Sequence, residues 1–103
     1  MDYRIVWSPE AIEDIESIAE YIERDSKFYA KAVVNKIFQS TEKLKNFPKI
    51  GRFVPESGRE DIRELIVYSY RLVYQVKEGE ILIIAVIHGK RQFEDVIKEY
   101  KIS

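Results

Sequence analysis

The run from Tyr70 to Phe93, YRLVYQVKEGEILIIAVIHGKRQF, constrains the fold more than any other stretch. Tyr70, Leu72, Tyr74 and Val76 alternate with Arg71, Val73 and Gln75, the period of a strand with one buried face. Lys77-Glu78-Gly79-Glu80 supplies a polar turn in which Gly79 can take positive φ. Ile81 to Ile87 is apolar throughout and rich in β-branched residues, which predicts an interior strand covered on both faces. His88, Gly89, Lys90 and Arg91 follow at its end. Pairing about the turn brings Arg71 near the last residues of the long strand, so cations are expected to gather there on a rigid sheet.

The remaining sequence is read around that hairpin. Tyr3 to Trp7 predicts a short strand. Ser8-Pro9 starts a helix, with serine capping free N–H groups and proline at a position that needs none. Ala11, Ile12, Ile15, Ile18, Ala19 and Ile22 form one apolar stripe, and the acidic residues opposite read as a solvated face. Asp25-Ser26-Lys27 breaks the pattern and can cap a second helix, whose stripe is Ala30, Val33, Val34, Ile37, Phe38, Leu44 and Phe47. Ser40 and Thr41 lie in that stripe and permit close packing. The short connection predicts an antiparallel helical hairpin ending at Phe47-Pro48. Pro48 to Glu60 reads as a long irregular loop, a length often associated with function. Asp61 to Tyr68 reads as a strand turning tightly at Ser69. Phe93, Val96, Ile97 and Tyr100 have helical spacing. The expected fold is α+β: a single domain over 1–103, with a helical hairpin on a mainly antiparallel sheet of about four strands and a short closing helix.

Composition narrows the chemistry. The chain has 103 residues, 46% hydrophobic and 34% charged, which suits one ordinary globular domain. It has no cysteine and one histidine, so thiolate sites and a multi-histidine metal site within one chain are excluded. No metal or cofactor is expected. The longest apolar run falls far short of the roughly 20 residues that cross a bilayer. The opening residues lack an apolar signal region, and the expectation is a cytoplasmic protein without membrane contact. A net charge of −1 and a pI near 5.9 argue against a general nucleic-acid binder. Charge is nonetheless segregated: acidic from Ser8 to Ala30, basic from Lys31 to Arg63.

No nucleophile elbow, phosphate-binding glycine loop or zinc-protease motif is present. What remains is chemistry that cations and carboxylates can perform, such as RNA cleavage through the 2′-hydroxyl. That reaction needs a base, an acid and cations for the pentavalent phosphate. His88, Glu56 or Glu64 are candidate bases; Arg71, Arg91, Lys90 and Arg63 are candidate cations. The plainer alternatives are a structural His88 and an Arg71 ion-paired to a neighbouring acid. Tyr68, Tyr70 and Tyr74 read more simply as sheet packing than as base-stacking platforms.

Taken in order, Trp7-Ser8-Pro9-Glu10-Ala11, Phe47-Pro48-Lys49-Ile50-Gly51-Arg52, Tyr70-Arg71-Leu72-Val73-Tyr74-Gln75-Val76 and His88-Gly89-Lys90-Arg91 resemble the RelE/ParE superfamily of toxins from type II toxin–antitoxin modules. The resemblance covers nearly the whole chain and is closer to the ParE-like, plasmid-stabilisation branch. It implies growth inhibition by binding DNA gyrase, without catalysis. The alternative branch implies a ribosome-dependent mRNA endoribonuclease, with Arg71, His88 and Arg91 as its catalytic residues and Glu56 and Arg63 as weaker candidates. The lysines that this branch carries before Tyr70 are replaced near those places by Ile62 and Glu64. A third possibility is a non-toxic interaction domain of the same fold. The resemblance further implies target contacts through Arg52, Arg59 and Lys90. It implies a hetero-oligomer with a cognate antitoxin, seated on the helices at Ile15, Ile22, Val33 and Ile37.

Overall fold

A computed structural model of the chain describes residues 3–89. Strand β1 (Arg4–Trp7) leads into helix α1 (Pro9–Glu23) and helix α2 (Lys27–Leu44). Then come β2 (Arg52–Phe53), a 3-10 turn (Pro55–Ser57), β3 (Ile62–Val67), β4 (Tyr70–Lys77) and β5 (Glu80–His88). The five strands form one sheet in the order β1-β5-β4-β3-β2. β1 runs parallel to β5, and every other pairing is antiparallel.

The expected fold is corrected in its sheet, and the last described element differs from the expected closing helix. Among the described residues the sheet has five strands rather than about four, because Arg52–Phe53, inside the stretch expected to be irregular, pairs with Glu64 and Arg63 of β3. Two residues are too few to show a period, so the pairing is set by side chains across the ladder. The last described element is strand β5, not a helix; the closing helix expected around Phe93–Tyr100 lies outside the described residues.

The hairpin from Tyr70 behaves as its pattern demands. Lys77 pairs with Glu80, Gly79 takes φ 69°, and Arg71 stands opposite Ile87. β5 is interior, and its side chains divide between two cores. Ile81, Ile83 and Val86 join Leu72, Tyr74, Ala11, Ile15, Val33, Ile37 and Leu44 under the helices. Ile84, Ala85 and Ile87 join Val54, Ile62 and Val73 on the other face. The alternation slips once: Val73 pairs with Ala85 but Tyr74 with Ile83, so Ile84 is the extra residue of a bulge.

Helix α1 completes what β1 leaves open. β1 stops at Trp7, opposite Ile83, and the β5 backbone beyond needs other partners. The Ser8 amide donates to the Ile83 carbonyl at 3.0 Å. The Ser8 hydroxyl donates to the Ile84 carbonyl at 2.9 Å while accepting from the Ala11 amide at 3.0 Å as the helix cap. One turn on, the Asp14 carboxylate accepts from the Val86 amide at 2.9 Å. Asp14 therefore does not belong to the solvated acidic face in which its sequence position placed it.

Ser40 and Thr41 are buried in the hairpin, their hydroxyls donating to the carbonyls of Lys36 and Phe38 in their own helix. Asp14→Ala leaves a strand amide without this acceptor and is expected to cost about 1–3 kcal/mol. Urea unfolding of the variant against the parent measures it.

Candidate functional site

The sheet face away from the helices carries one carboxylate among apolar neighbours. Glu64 is central in β3, and its side chain is 0% exposed. A charge there is tolerable only with partners at hydrogen-bonding distance. Register supplies them. Arg52 of β2 lies directly opposite and donates from Nε to Glu64 Oε2 at 2.6 Å. Arg71 of β4, diagonal to Glu64 on the same face, donates from Nε to Oε1 at 2.7 Å. Its Nη2 also reaches Glu56 Oε2, on the 3-10 turn, at 3.3 Å. Arg71 is 11% exposed at the side chain and Arg52 is 65% exposed. A groove of about 370 Å³ opens beside this cluster, lined in part by Arg52, Glu56, Ile66, Tyr68 and Arg71.

Arg71 is thus an ion-pair residue, the plainer of the two readings its sequence allowed. Glu64 is its counter-ion rather than a free base. The two arginines and two carboxylates are formally balanced. An anion entering the groove must compete with Glu64 and Glu56 for both guanidinium groups.

His88 does not join them. It pairs with Tyr70, so it lies on the helix-side face while Arg71 and Ile87 share the far one. Its ring meets Tyr70 edge-on, centroids 5.6 Å apart. Burial raises the Tyr70 phenol above its ordinary range, helped by the nearby Tyr29 and Tyr21. The other candidate cations are held by neighbours. Arg63 donates to the carbonyls of Lys49 and Gly51 and stacks over Phe53 at 4.2 Å. Arg59 grips Asp61 through two bonds of 3.0 and 2.7 Å, and Asp61 also accepts from Gln75. Lys90 and Arg91 lie outside the described residues. On the helices, Ile15, Val33 and Ile37 are committed to the chain's own core and Ile22 packs partly against it. Apolar side chains that do reach the surface there are Ile12, Tyr21, Phe28, Tyr29 and Phe38.

Tyr68, read from the sequence as sheet packing, and Ile66, which the sequence did not single out, both line the groove. Ile66 and Tyr68 are each 57% exposed at the β3–β4 tip, and Tyr68 sits at φ 54°. A bulky residue with positive φ is strained. The signal was present in the two-residue turn itself, which normally asks for asparagine or glycine.

Comparison with known proteins is consistent with this architecture. Residues 5–93 match the family model described as the ParE toxin of the type II toxin–antitoxin system parDE. The chain is 27% identical over 88 residues to Toxin RelE2 of Caulobacter vibrioides, covering 85% of this chain and 97% of that one. It is 30% identical over 97 residues to Putative toxin Y4kP of Sinorhizobium fredii, covering 91% and 96%. Among solved structures it resembles a chain of the chromosomal ParDE TA system from P. aeruginosa, with TM-score 0.70 and 21% identity over 84% of this chain and 95% of that one. A match over most of the length to a single family defines a toxin of the RelE/ParE superfamily. The chain belongs to the ParE toxin family and is the toxin component of a type II toxin–antitoxin system. Among the described residues no helix is long and apolar enough to cross a membrane.

Two stability measurements follow from the cluster. Glu64→Ala strands the largely buried Arg71 and is expected to cost on the order of 3 kcal/mol, whereas Arg52→Ala, which leaves Glu64 its bond to Arg71, should cost less; urea unfolding ranks the two. The hydrogen bond from Arg59, aided by Gln75 and against partial burial, holds the Asp61 carboxyl below its ordinary value of 3.8. A group depressed in the folded state stabilises above its unfolded pKa, and that contribution is lost as pH falls through the folded one. Asp61→Asn is therefore expected to lose less stability than the parent when acidified below about pH 4, as acid melting curves record.

Proposed function

We propose that this toxin acts by binding DNA gyrase rather than by cleaving RNA, and that a cognate antitoxin neutralises it. One observation carries the reading. Arg71 is spent on the buried Glu64 and on Glu56, and His88 stands on the opposite face of the sheet. A nuclease of the alternative branch needs a cation free to stabilise phosphate, with an acid or base on the same side. The match to a ParE-type family model over residues 5–93 supports the same choice. The antitoxin is inferred from the family and from the ParDE system to which the fold is similar.

The second reading, a ribosome-dependent endoribonuclease, draws on the 3.3 Å contact between Glu56 and Arg71. Opening of the ion pairs on the ribosome would release a Glu–Arg pair beside the groove.

Purified protein added to a gyrase decatenation assay and, in parallel, to a translation reaction separates the two. The expected result is arrested decatenation with intact mRNA, and an inhibitory dose for His88→Ala within about two-fold of the parent. Cut mRNA with normal decatenation overturns the gyrase reading.

A further inference from the structure

Residues 45–51, between α2 and β2, form no regular element, yet their backbone is tied down with unusual thoroughness. The Phe47 amide donates to the Lys43 carbonyl at 3.0 Å and the Ile50 amide to the Phe47 carbonyl at 3.1 Å. From β4, the Tyr74 hydroxyl donates to the Pro48 carbonyl and accepts from the Gly51 amide, both at 2.9 Å. From β3, Arg63 Nη1 donates to the carbonyls of Lys49 at 3.1 Å and Gly51 at 2.7 Å. Tyr74 is 0% exposed, and burial raises its phenol above the ordinary value, so the hydroxyl stays a donor at neutral pH. The approach is close enough that a Cβ at Gly51 would stand 2.5 Å from the Tyr74 hydroxyl. Glycine is required there by space.

What this bracing displays is apolar. Phe47 is 64% exposed, Ile50 53% and, just beyond, Phe53 49%. Phe47, Pro48, Lys49 and Ile50 line a shallow recess of about 330 Å³. A flexible loop would hide such side chains or lose entropy on presenting them. Here the turn is held by hydrogen bonds from within the chain, an arrangement that lowers the ordering cost of binding. Along the chain from Lys43 to Arg52 the charge has one sign. Between Glu42 and Glu56 the charged residues are Lys43, Lys45, Lys49 and Arg52. Lys45 is paired with Glu42 and Arg52 with Glu64, while Lys43 and Lys49 are exposed and Lys49 lines the recess. Exposed phenylalanine and isoleucine side chains with Lys49 among them and Lys43 exposed nearby in the chain fit a protein surface with an apolar slot and acidic borders. They fit a nucleic-acid backbone poorly, since it offers no such slot.

We propose that the braced turn Phe47–Gly51, with Phe53 beside it, is the surface that grips the toxin's protein target, and that Tyr74 and Arg63 are its positioning residues. The identity of that target as gyrase rests on the reading above; the use of this surface does not.

The test is Phe47→Ala combined with Ile50→Ala, two exposed positions whose loss should leave the thermal melt unchanged. Expected are loss of growth arrest on induction and a rise of at least about ten-fold in the dose that half-inhibits purified gyrase. Tyr74→Phe keeps the ring but frees the turn. It should raise that dose by a smaller factor with Phe47 and Ile50 intact, a readout that stability alone does not move. A double variant as toxic as the parent overturns the surface, and if it still inhibits gyrase the gyrase reading survives alone. A parent that arrests growth without touching gyrase, and loses that effect in the double variant, supports the surface and overturns gyrase. A parent inactive in both assays overturns both. A homodimer on size-exclusion chromatography with light scattering, or binding to a duplex DNA oligonucleotide, that disappears in the double variant also overturns the protein-target assignment.

Discussion

A carboxylate placed on the apolar face of a sheet has to be answered by cations, and much of this molecule is arranged around that requirement. Glu64 has no access to water, so Arg71 reaches it from β4 and Arg52 from β2. The second of these contacts spans the short pairing of β2 with β3. The first holds Arg71 at 11% exposure and turns its remaining nitrogen toward Glu56 on the 3-10 turn. One buried charge thereby ties β2, β3, β4 and the following turn into a single electrostatic unit. It also leaves Arg71 largely withdrawn from solvent.

A second constraint acts at the opposite edge. β1 is too short to cover β5, and a bulge at Ile84 shifts the β5 backbone out of step with β4. Helix α1 supplies the missing partners from Ser8 and Asp14. A serine that caps a helix is ordinary; this one also closes a strand, so the start of α1 and the end of β1 are one device. That attachment sets α1 over the sheet, where Ala11 and Ile15 meet Ile83 and Val86. Both constraints arise from polar groups that cannot be left unpaired, while the apolar cores on either side supply most of the driving force.

Much of the fold was legible because periodicity survives in a single chain. The Tyr70–Val76 alternation, the unbroken Ile81–Ile87 run and the Ser8-Pro9 start each correspond to an observed element. Less of the site was legible. Arg71 stood out in the sequence, but its partners Glu64 and Glu56 come from β3 and the 3-10 turn. His88 looked adjacent to Arg71 in the hairpin, and one residue of register put it on the other side of the sheet. The stripe residues Ile15, Val33 and Ile37 looked available to a partner, yet the chain's own sheet covers them. Phe47, Ile50 and Phe53 looked like helix end and loop, and became prominent only once Tyr74 and Arg63 were seen to hold them outward.

By itself the sequence determined the class of fold, the two helices, the central hairpin and the chemistry ruled out by a chain with no cysteine and one histidine. Those properties depend on local spacing and on composition, which need no knowledge of what lies across the sheet. The tertiary structure alone decided which charges neutralise one another, which face each candidate residue occupies and which apolar side chains remain in water. These are settled by strand register and by the pairing of groups distant in the chain, and the free energy of a buried charge or an exposed phenylalanine is set by such neighbours rather than by the residue's own identity.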